Sequence, residues 1–347
     1  MKLFVPGRLC LFGEHSDWAA GYRRFNPKLE KGYTLITGTN QGIYAQVKPH
    51  PNQLIFSSSK TSQGMLQLPM TKEALLAEAR SGGFFSYVVG VAYQVCDRYQ
   101  VGGMIIDNYL TDLPIQKGLS SSAAICVLVA RAFNRLYNLN LTIQEEMELA
   151  YLGERMTPSQ CGRMDQACAY GNQPILMIFE GDRLEVIPLT VSQDLFFVIV
   201  DLGASKDTQI ILQQLNQCYP FATNQIQSNV QEYLGVISSH ITQQAVLALK
   251  QGNAQEIGRL MEQAQAEFDR YVIPACSTQL TAPLLHQLLK HSPLQPYIFG
   301  GKGVGSQGDG TAQFIVKDQE SQSKVIKIIE QDFPQMQCLK LTINREY

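Results

Sequence analysis

Hydrophobic positions along this chain change period several times, and each change predicts an element. Residues 2–12, KLFVPGRLCLF, predict a strand interrupted at Pro6–Gly7, followed by a polar turn, GEHSDWAAG. Residues 33–49, YTLITGTNQGIYAQVKP, alternate apolar and polar positions around Asn40–Gln41–Gly42, which predicts a hairpin. At 83–98 the period turns helical, with Phe84, Val88, Val91 and Val95 at helical spacing. Core packing is the ordinary reading of Phe84 and Phe85. A further strand, GGMIIDNYLTDL, leads into PIQKGLSSSAAICVLVARAF, where helical spacing begins at Ala123 and runs through Ile125, Leu128, Val129 and Phe133. A helix follows from Thr142 to near Arg155, with Thr142 as N-cap and Glu145 as its box partner. QPILMIFEGDRLEVIPL then predicts a hairpin closed near Gly181–Asp182.

From Asp194 the order is a new one. A β-rich strand, DLFFVIVDLG, precedes helical stretches over 206–235 and 238–268, and TAPLLHQLLKHS is a further helix. PYIFGGKGVGSQGDGTAQFIV places a glycine-rich loop before a strand, KVIKIIEQDF is a helix and QCLKLTIN a last strand. This succession predicts an α+β unit, with the division of the chain at 1–187 and 188–347. A length of 347 residues suits two domains, and 45% hydrophobic with 17% charged residues is a globular balance. A net charge of −2 gives no sign of a nucleic-acid or membrane surface. No apolar run reaches the ~18 residues that span a bilayer, and the apolar part of MKLFVPGRLCLFGEH is short for a signal peptide. The eight cysteines form no C-x-x-C pair and the five histidines show no metal spacing. Free thiols in a reducing cytoplasm are therefore expected.

The candidate chemistry lies where these patterns break. Gly118 opens a turn, and Ser120, Ser121 and Ser122 follow at the start of a helix. Such a start leaves backbone N–H groups free at the positive end of the helix dipole, which suits a phosphate. A serine N-cap on a core helix is the alternative. Arg8, Glu14, His15 and Asp17 gather at the first polar turn, as surface loops also allow. Residues 22–31 carry Arg23, Arg24, Lys28 and Lys31 against Glu30, either a solvated loop or a contact to an anionic substrate. Glu154 and Asp165 are the acidic candidates, with Gly162 making a tight turn before Asp165. GGKGVGSQGDG fits neither a Walker A loop nor a dinucleotide fingerprint.

Taken together, these stretches resemble the GHMP kinase superfamily, whose namesakes are galactokinase, homoserine kinase, mevalonate kinase and phosphomevalonate kinase. PGRLCLFGEHSDW at 6–18 is similar to its first motif in the sugar-kinase form, and PIQKGLSSSAA at 114–124 to the second, the phosphate loop. IFGGKGVGSQGDG at 298–310 occupies the place of the third, although Lys302, Ser306, Gln307 and Asp309 interrupt the glycine run. GYTLITGTNQGIYAQV resembles the strand pair after the first motif in galactokinases, and FFSYVVGV their W-A-N-Y-x-x-G helix. The likeness runs nearly end to end. It implies a two-domain α+β GHMP kinase fold: an N-terminal domain with the phosphate loop, a C-terminal ferredoxin-like domain, and an active site in the cleft between them.

The resemblance also implies ATP and Mg2+ as cofactors and a small-molecule sugar as acceptor, phosphorylated at its anomeric hydroxyl. Gly118, Leu119, Ser120, Ser121, Ser122 and Ala123 would cradle the ATP phosphates, and Phe84 sits where galactokinases place an adenine-packing aromatic. Ser122 and Glu154 match Mg2+-binding positions. CGRMDQ at 161–166 resembles C-G-I-M-D-Q of galactokinases, which makes Asp165 the base, with Arg8 beside the transferred phosphoryl group and holding Asp165 ionised. Glu14, His15 and Asp17 match positions that bind sugar hydroxyls; Arg8 and Asp17 favour a sugar over mevalonate. Trp18 stands where galactokinases carry tyrosine, and Arg163 where they carry an apolar residue. With the basic insertion at 22–31, Arg163 raises the hypothesis of an anionic acceptor such as a uronic acid; an Arg163 paired with a nearby acid is the alternative. A mevalonate-type alcohol kinase and a non-catalytic sugar- and nucleotide-binding regulator are the other readings. A cytoplasmic monomer or homodimer, binding no nucleic acid or membrane, is expected.

Overall fold

A computed structural model describes residues 1–59, 64–114, 118–159, 161–204 and 206–345. Residues 115–117 of the phosphate-loop motif therefore lie outside the described residues. The chain forms two compact units, Met1–Arg8 with Gly38–Asn172, and Leu9–Thr37 with Gln173–Tyr347. Strands β1 (Lys2–Phe12) and β2 (Gly32–His50) pass from one to the other.

In the first unit, the second half of β2 pairs antiparallel with β5 (Gly103–Thr111), from Ile43↔Thr111 to His50↔Gly103. β5 runs parallel to β3 (Gln53–Ser58), which pairs antiparallel with β4 (Leu66–Pro69). The hairpin expected over 33–49 is one unbroken strand of 19 residues. A Cβ on Gly42 would lie 2.3 Å from the Val5 carbonyl oxygen, so this glycine admits β1 and makes no turn. Asp112 receives the Gly42 N–H at 2.7 Å. β1 likewise continues through Pro6–Gly7; a Cβ on Gly7 would meet the Leu119 oxygen at 2.8 Å.

Among the described residues this unit also holds the α-helices Lys72–Ser81, Ser86–Arg98, Ser121–Tyr137 and Ile143–Glu154 and the 3-10 helix Asp165–Tyr170. The second begins three residues later than its spacing suggested, which leaves Phe84 outside it and exposed while Phe85 is buried. Gly90 and Gly153 let two helices touch backbone to backbone, a Cβ on Gly90 falling 2.3 Å from the Gly153 oxygen. The capping box of Thr142 and Glu145 is present. Val88, Val91, Val95, Ala123, Val127 and Phe133 fill the core between these elements.

In the second unit, the first half of β2 pairs with β6 (Ile175–Glu180), and β6 turns into β7 (Arg183–Pro188) through Gly181 at φ 60°. That is the hairpin the alternation predicted. β8 (Leu195–Asp201), β9 (Ile298–Gly303), β10 (Thr311–Val316) and β11 (Gln337–Ile343) form an antiparallel sheet in the order β11-β8-β10-β9. Helices lie between β8 and β9, and Gln319–Asp332 between β10 and β11. This is the ferredoxin-like β-α-β-β-α-β arrangement. Val198, Val200, Leu285, Phe314, Val325 and Ile329 share its core.

The long helical stretches break where asparagine caps a new start. Residues 206–235 give Thr208–Asn216 and Gln225–Glu232, the latter capped by Asn224 and continued by Tyr233–Ile237. Residues 238–268 give Ser238–Lys250 and Ala254–Tyr271, capped by Asn253. The glycine-rich loop is partly strand. Gly300, Gly301 and Gly303 belong to β9, because the helix Ala254–Tyr271 presses on it; a Cβ on Gly300 would lie 2.2 Å from the Gly258 oxygen. All eight cysteines are free. Among the described residues no helix is long and apolar enough to cross a membrane.

Candidate active site

The first unit collects Arg8, the serine loop, Glu154 and Asp165. Gly118 and Ser120 both adopt left-handed backbone, at φ 73° and 57°. Ser120 occupies the N-cap of the helix Ser121–Tyr137 but makes no side-chain cap bond. Its hydroxyl donates instead to Asp165 Oδ1 at 2.8 Å, so the first N–H groups of the helix have no serine to answer them. An N-cap that turns away from its helix leaves an anion site open. The Arg8 guanidinium pairs with the same Oδ1 and donates to the Gly118 oxygen at 3.3 Å. The Arg8 backbone N–H is held by the Leu119 oxygen at 3.0 Å. Among the described residues, nothing bonds Asp165 Oδ2.

Glu154 ends the helix Ile143–Glu154 and is buried. Its carboxylate accepts from Gln166 Nε2 at 2.8 Å and Ser159 Oγ at 3.3 Å. Burial, and then the charge of Asp165, push its pKa up to about 7, against a smaller opposing effect of the Ser122 hydroxyl. Two carboxylates and a hydroxyl are hard oxygen donors of the kind Mg2+ takes while keeping several waters. As hard oxygen donors, Ser122, Glu154 and Asp165 fit the ion. Among the described residues there is no group of three or more His, Cys, Asp or Glu side chains that could hold a metal.

The second unit gathers Glu14, His15 and two lysines. Glu14 and Lys302 are both buried, and Lys302 Nζ pairs with Glu14 Oε1 while donating to the Gly303 oxygen at 2.8 Å. His15 is buried, and its Nδ1 accepts from Trp18 Nε1 at 3.1 Å. Burial first, then the positive charge of Lys206 and Lys302, lower its pKa to about 4, with the Ser306 backbone acting the other way. Asp17 lies half-buried in the short helix Ser16–Ala19.

Each residue that interrupts the glycine run has a structural task. Lys302 holds Glu14, the Ser306 hydroxyl meets Thr208 Oγ1 at 3.1 Å, and Gln307 donates to the Gly303 oxygen at 3.3 Å. Asp309 accepts the Leu285 N–H at 2.9 Å. Lys206 Nζ reaches the carbonyls of Val304, at 3.4 Å, and Gln307. Sequence reasoning passed over Lys206 and gave Lys302 no partner; a lysine inside an apolar strand was the only available signal.

Four of the cationic candidates, Arg163, Arg23, Arg24 and Lys31, are engaged, while Lys28 is exposed. Arg163 pairs with Glu148 at 3.1 Å and lies over the Tyr151 ring at 5.1 Å. In the 22–31 insertion, Arg23 and Lys31 reach Glu180 at 3.4 and 2.9 Å, and Arg24 reaches Asp182 at 3.4 Å. Phe84 is 37% exposed and stands edge-on to Phe85 at 5.2 Å, so core packing accounts for Phe85 and not for Phe84.

The matched family is the N-terminal domain of GHMP kinases, over residues 86–172. With the fold, this supports placing the chain in the GHMP kinase superfamily. The curated relatives it resembles include galactokinases. A galactokinase of Pyrococcus furiosus is 29% identical over 205 residues, 58% of this chain and 53% of that protein. One of Thermococcus kodakarensis is 28% identical over 211 residues, 60% of this chain and 55% of that protein. The chain thus matches about half the length of these curated relatives. Lactococcus lactis galactokinase, in a crystal structure with galactose, superposes with TM-score 0.76 at 17% identity, covering 99% of this chain and 93% of that one. Methanococcus jannaschii mevalonate kinase superposes with TM-score 0.71 at 18% identity, over 99% and 98%. These two likenesses establish the fold.

Proposed function

We propose that this chain is an ATP- and Mg2+-dependent kinase that phosphorylates a sugar hydroxyl, the anomeric one. The observation that carries the reading is Asp165, held through Oδ1 by Arg8 and Ser120 beside a helix start whose serine does not cap it. Galactokinase relatives support a sugar as the acceptor class. In phosphoryl transfer the protein mainly positions reactants and screens charge. The loop Gly118–Ala123 offers N–H groups and hydroxyls to the ATP phosphates, and Phe84 offers an exposed ring to adenine. Glu154 and Ser122, with Asp165 beside them, would hold Mg2+, which neutralises phosphate charge when bound. Asp165 Oδ2 takes the proton of the acceptor hydroxyl as its oxygen bonds to the γ-phosphorus; the bond to the β-phosphate oxygen breaks and ADP leaves. Glu14, His15 and Asp17 bind acceptor hydroxyls. A uronic acid is kept among the candidate acceptors, although Arg163, Arg23, Arg24 and Lys31 have acidic partners in their own unit.

The test is coupled ADP release with ATP and Mg2+ across free sugars, uronic acids, sugar phosphates, mevalonate and homoserine, with Asp165→Ala alongside. Turnover on one sugar class is expected, falling by about 10²–10⁴-fold in the variant. ATP and sugar binding without ADP release above the variant's background would refute the kinase reading and leave a regulator on the same fold.

A further inference from the structure

The segment that carries Asp165 is short and has little of its own to hold it. Asp165 opens the 3-10 helix Asp165–Tyr170, a form that seldom runs beyond about three or four residues because its hydrogen bonds are poorly aligned. Beyond Gln166 its buried face is Ala167, Cys168 and Ala169. Side chains that small make few contacts and fix the depth of a helix in the core poorly. At one end the helix is held through the Asp165 carboxylate, by Arg8 and Ser120. At the other end the Ala169 oxygen accepts from Arg131 Nη2 at 2.5 Å.

Arg131 lies in the second half of the helix Ser121–Tyr137, the one that starts at the serine loop. A second contact aims its guanidinium: Nε donates to Glu146 Oε2 at 2.9 Å, with the two side chains 11% and 6% exposed. Glu146 is itself held, its Oε1 accepting from Asn134 Nδ2 at 2.7 Å. Asn134 also clamps the segment between the helices, accepting the Leu141 N–H at 3.0 Å and donating to the Leu141 oxygen at 3.1 Å. The run Ala169, Arg131, Glu146, Asn134 thus joins three helices: one begins at the serine loop, one begins at Asp165 and one ends at Glu154. Stability alone does not account for it. A buried ion pair stabilises a fold no better than apolar side chains of similar volume, and the same helices bury Val127, Phe133 and Met147. What an apolar side chain cannot do is answer a carbonyl and fix where it points.

We propose that Arg131 is a positioning residue for Asp165: it sets the 3-10 helix against the helix of the serine loop, with Glu146 aiming its guanidinium. The proposal rests on the kinase reading above. Arg131 touches no reacting atom. It keeps Asp165 Oδ1 on Ser120, which leaves Oδ2 for the acceptor proton. The planar fork of an arginine bonds the Glu146 carboxylate and the Ala169 carbonyl at once, whereas a lysine brings the charge as a single mobile point.

The test compares wild type, Arg131→Lys and the double variant of Arg131→Met with Glu146→Leu, each as the full chain. Coupled ADP release gives kcat and both KM values, with ATP, Mg2+ and the sugar that wild type turns over fastest in the panel. Urea unfolding gives stability, and hydrogen exchange by mass spectrometry follows the peptides 165–171 and 121–137. The double variant should unfold at a urea midpoint close to that of wild type, while its kcat falls about 10²-fold, the usual effect of a displacement of about 1 Å. The KM values for ATP and sugar should stay within about 2-fold. Arg131→Lys should lose about 10-fold in kcat, one hydrogen bond's worth. In both variants the amides of 165–171 should exchange about 10-fold faster, with those of 121–137 unmoved. A pair that serves only the fold gives the opposite result, a recovered urea midpoint together with kcat within about 2-fold of wild type, and that overturns the proposal. If the double variant does not fold, Arg131→Lys decides by the same kcat and exchange criteria. Were wild type to turn over no sugar, the kinase reading would fall on that control and take the proposal with it. A failed proposal with an intact kinase shows instead as sugar turnover in wild type and an unmoved kcat in the variants.

Discussion

The two clusters treat buried charge in opposite ways. Among the described residues around the serine loop of the first unit the surplus is acidic: Arg8 holds Asp165, but the hydrogen-bond donors to Glu154 are neutral, and its pKa is pushed up to about 7. In the second unit the surplus is cationic: Lys302 neutralises Glu14, and with Lys206 it helps push His15 down to about 4. A region short of positive charge favours a bound cation. A region held positive keeps a histidine neutral. On the proposed kinase reading, the first cluster would take the metal–phosphate group and the second the acceptor hydroxyls.

Removing one charge from each cluster separates them most strongly. Lys302→Met strands a buried carboxylate, and breaking a buried pair in this way costs roughly 3–5 kcal/mol. Urea unfolding should register that loss, and Lys302→Met combined with Glu14→Leu should recover most of it. Glu154→Gln should do the reverse in chelator-treated protein, leaving stability unchanged or improved, because the carboxylate it removes has no cationic partner among the described residues. A destabilisation of several kcal/mol by Glu154→Gln would break the comparison.

Next in size are the pH slopes, which should have opposite signs. The folded pKa of His15 lies below its ordinary 6.5, so the unfolded chain binds the extra proton and stability is lost as pH falls from about 6.5 toward 4. By pH 5 the loss is about 2 kcal/mol relative to pH 7.5. Glu154 is raised above its ordinary 4.5, so the folded chain binds the extra proton and stability is lost as pH rises from about 4.5 through 7. In urea titrations across pH 4.5–8, His15→Gln should flatten the acid side of the profile and Glu154→Gln the neutral side. Both variants tracking wild type would remove the electrostatic half of the contrast.

The contrast also marks what the sequence could carry. The serine loop and Asp165 were singled out because each lies in a contiguous motif, and Glu154 through its spacing to Asp165 in the resemblance; the structure brings the three together. An α+β unit was legible from element order, its ferredoxin-like form only through the resemblance, and Thr142 from its box partner. The pairing of Lys302 with Glu14 joins residues 288 positions apart, and no local pattern announces it. Gly42 and Gly300 misled for a related reason: both are set by a neighbouring backbone, Val5 for one and Gly258 for the other. Local chemistry reads such a glycine as a turn, and only the packed strand shows otherwise.

The smallest expected effect concerns the side chain that first suggested an anionic acceptor. Arg163 carries a formal charge two residues before Asp165, yet its guanidinium is 32% exposed, pairs with Glu148 and rests on the Tyr151 ring. Partly exposed pairs contribute about 0–1 kcal/mol, so Arg163→Leu should change stability by less than that in urea. If the acidic surplus of the first unit is reserved for a cation, this arginine serves its neighbour and not the acceptor. The variant's kcat/KM should then stay within about 2-fold of wild type on the best sugar of the panel. A selective loss on uronic acids, with neutral sugars unaffected, would return Arg163 to the acceptor. It would also mean that the first unit recognises substrate charge, and the division between the two clusters would have to be redrawn.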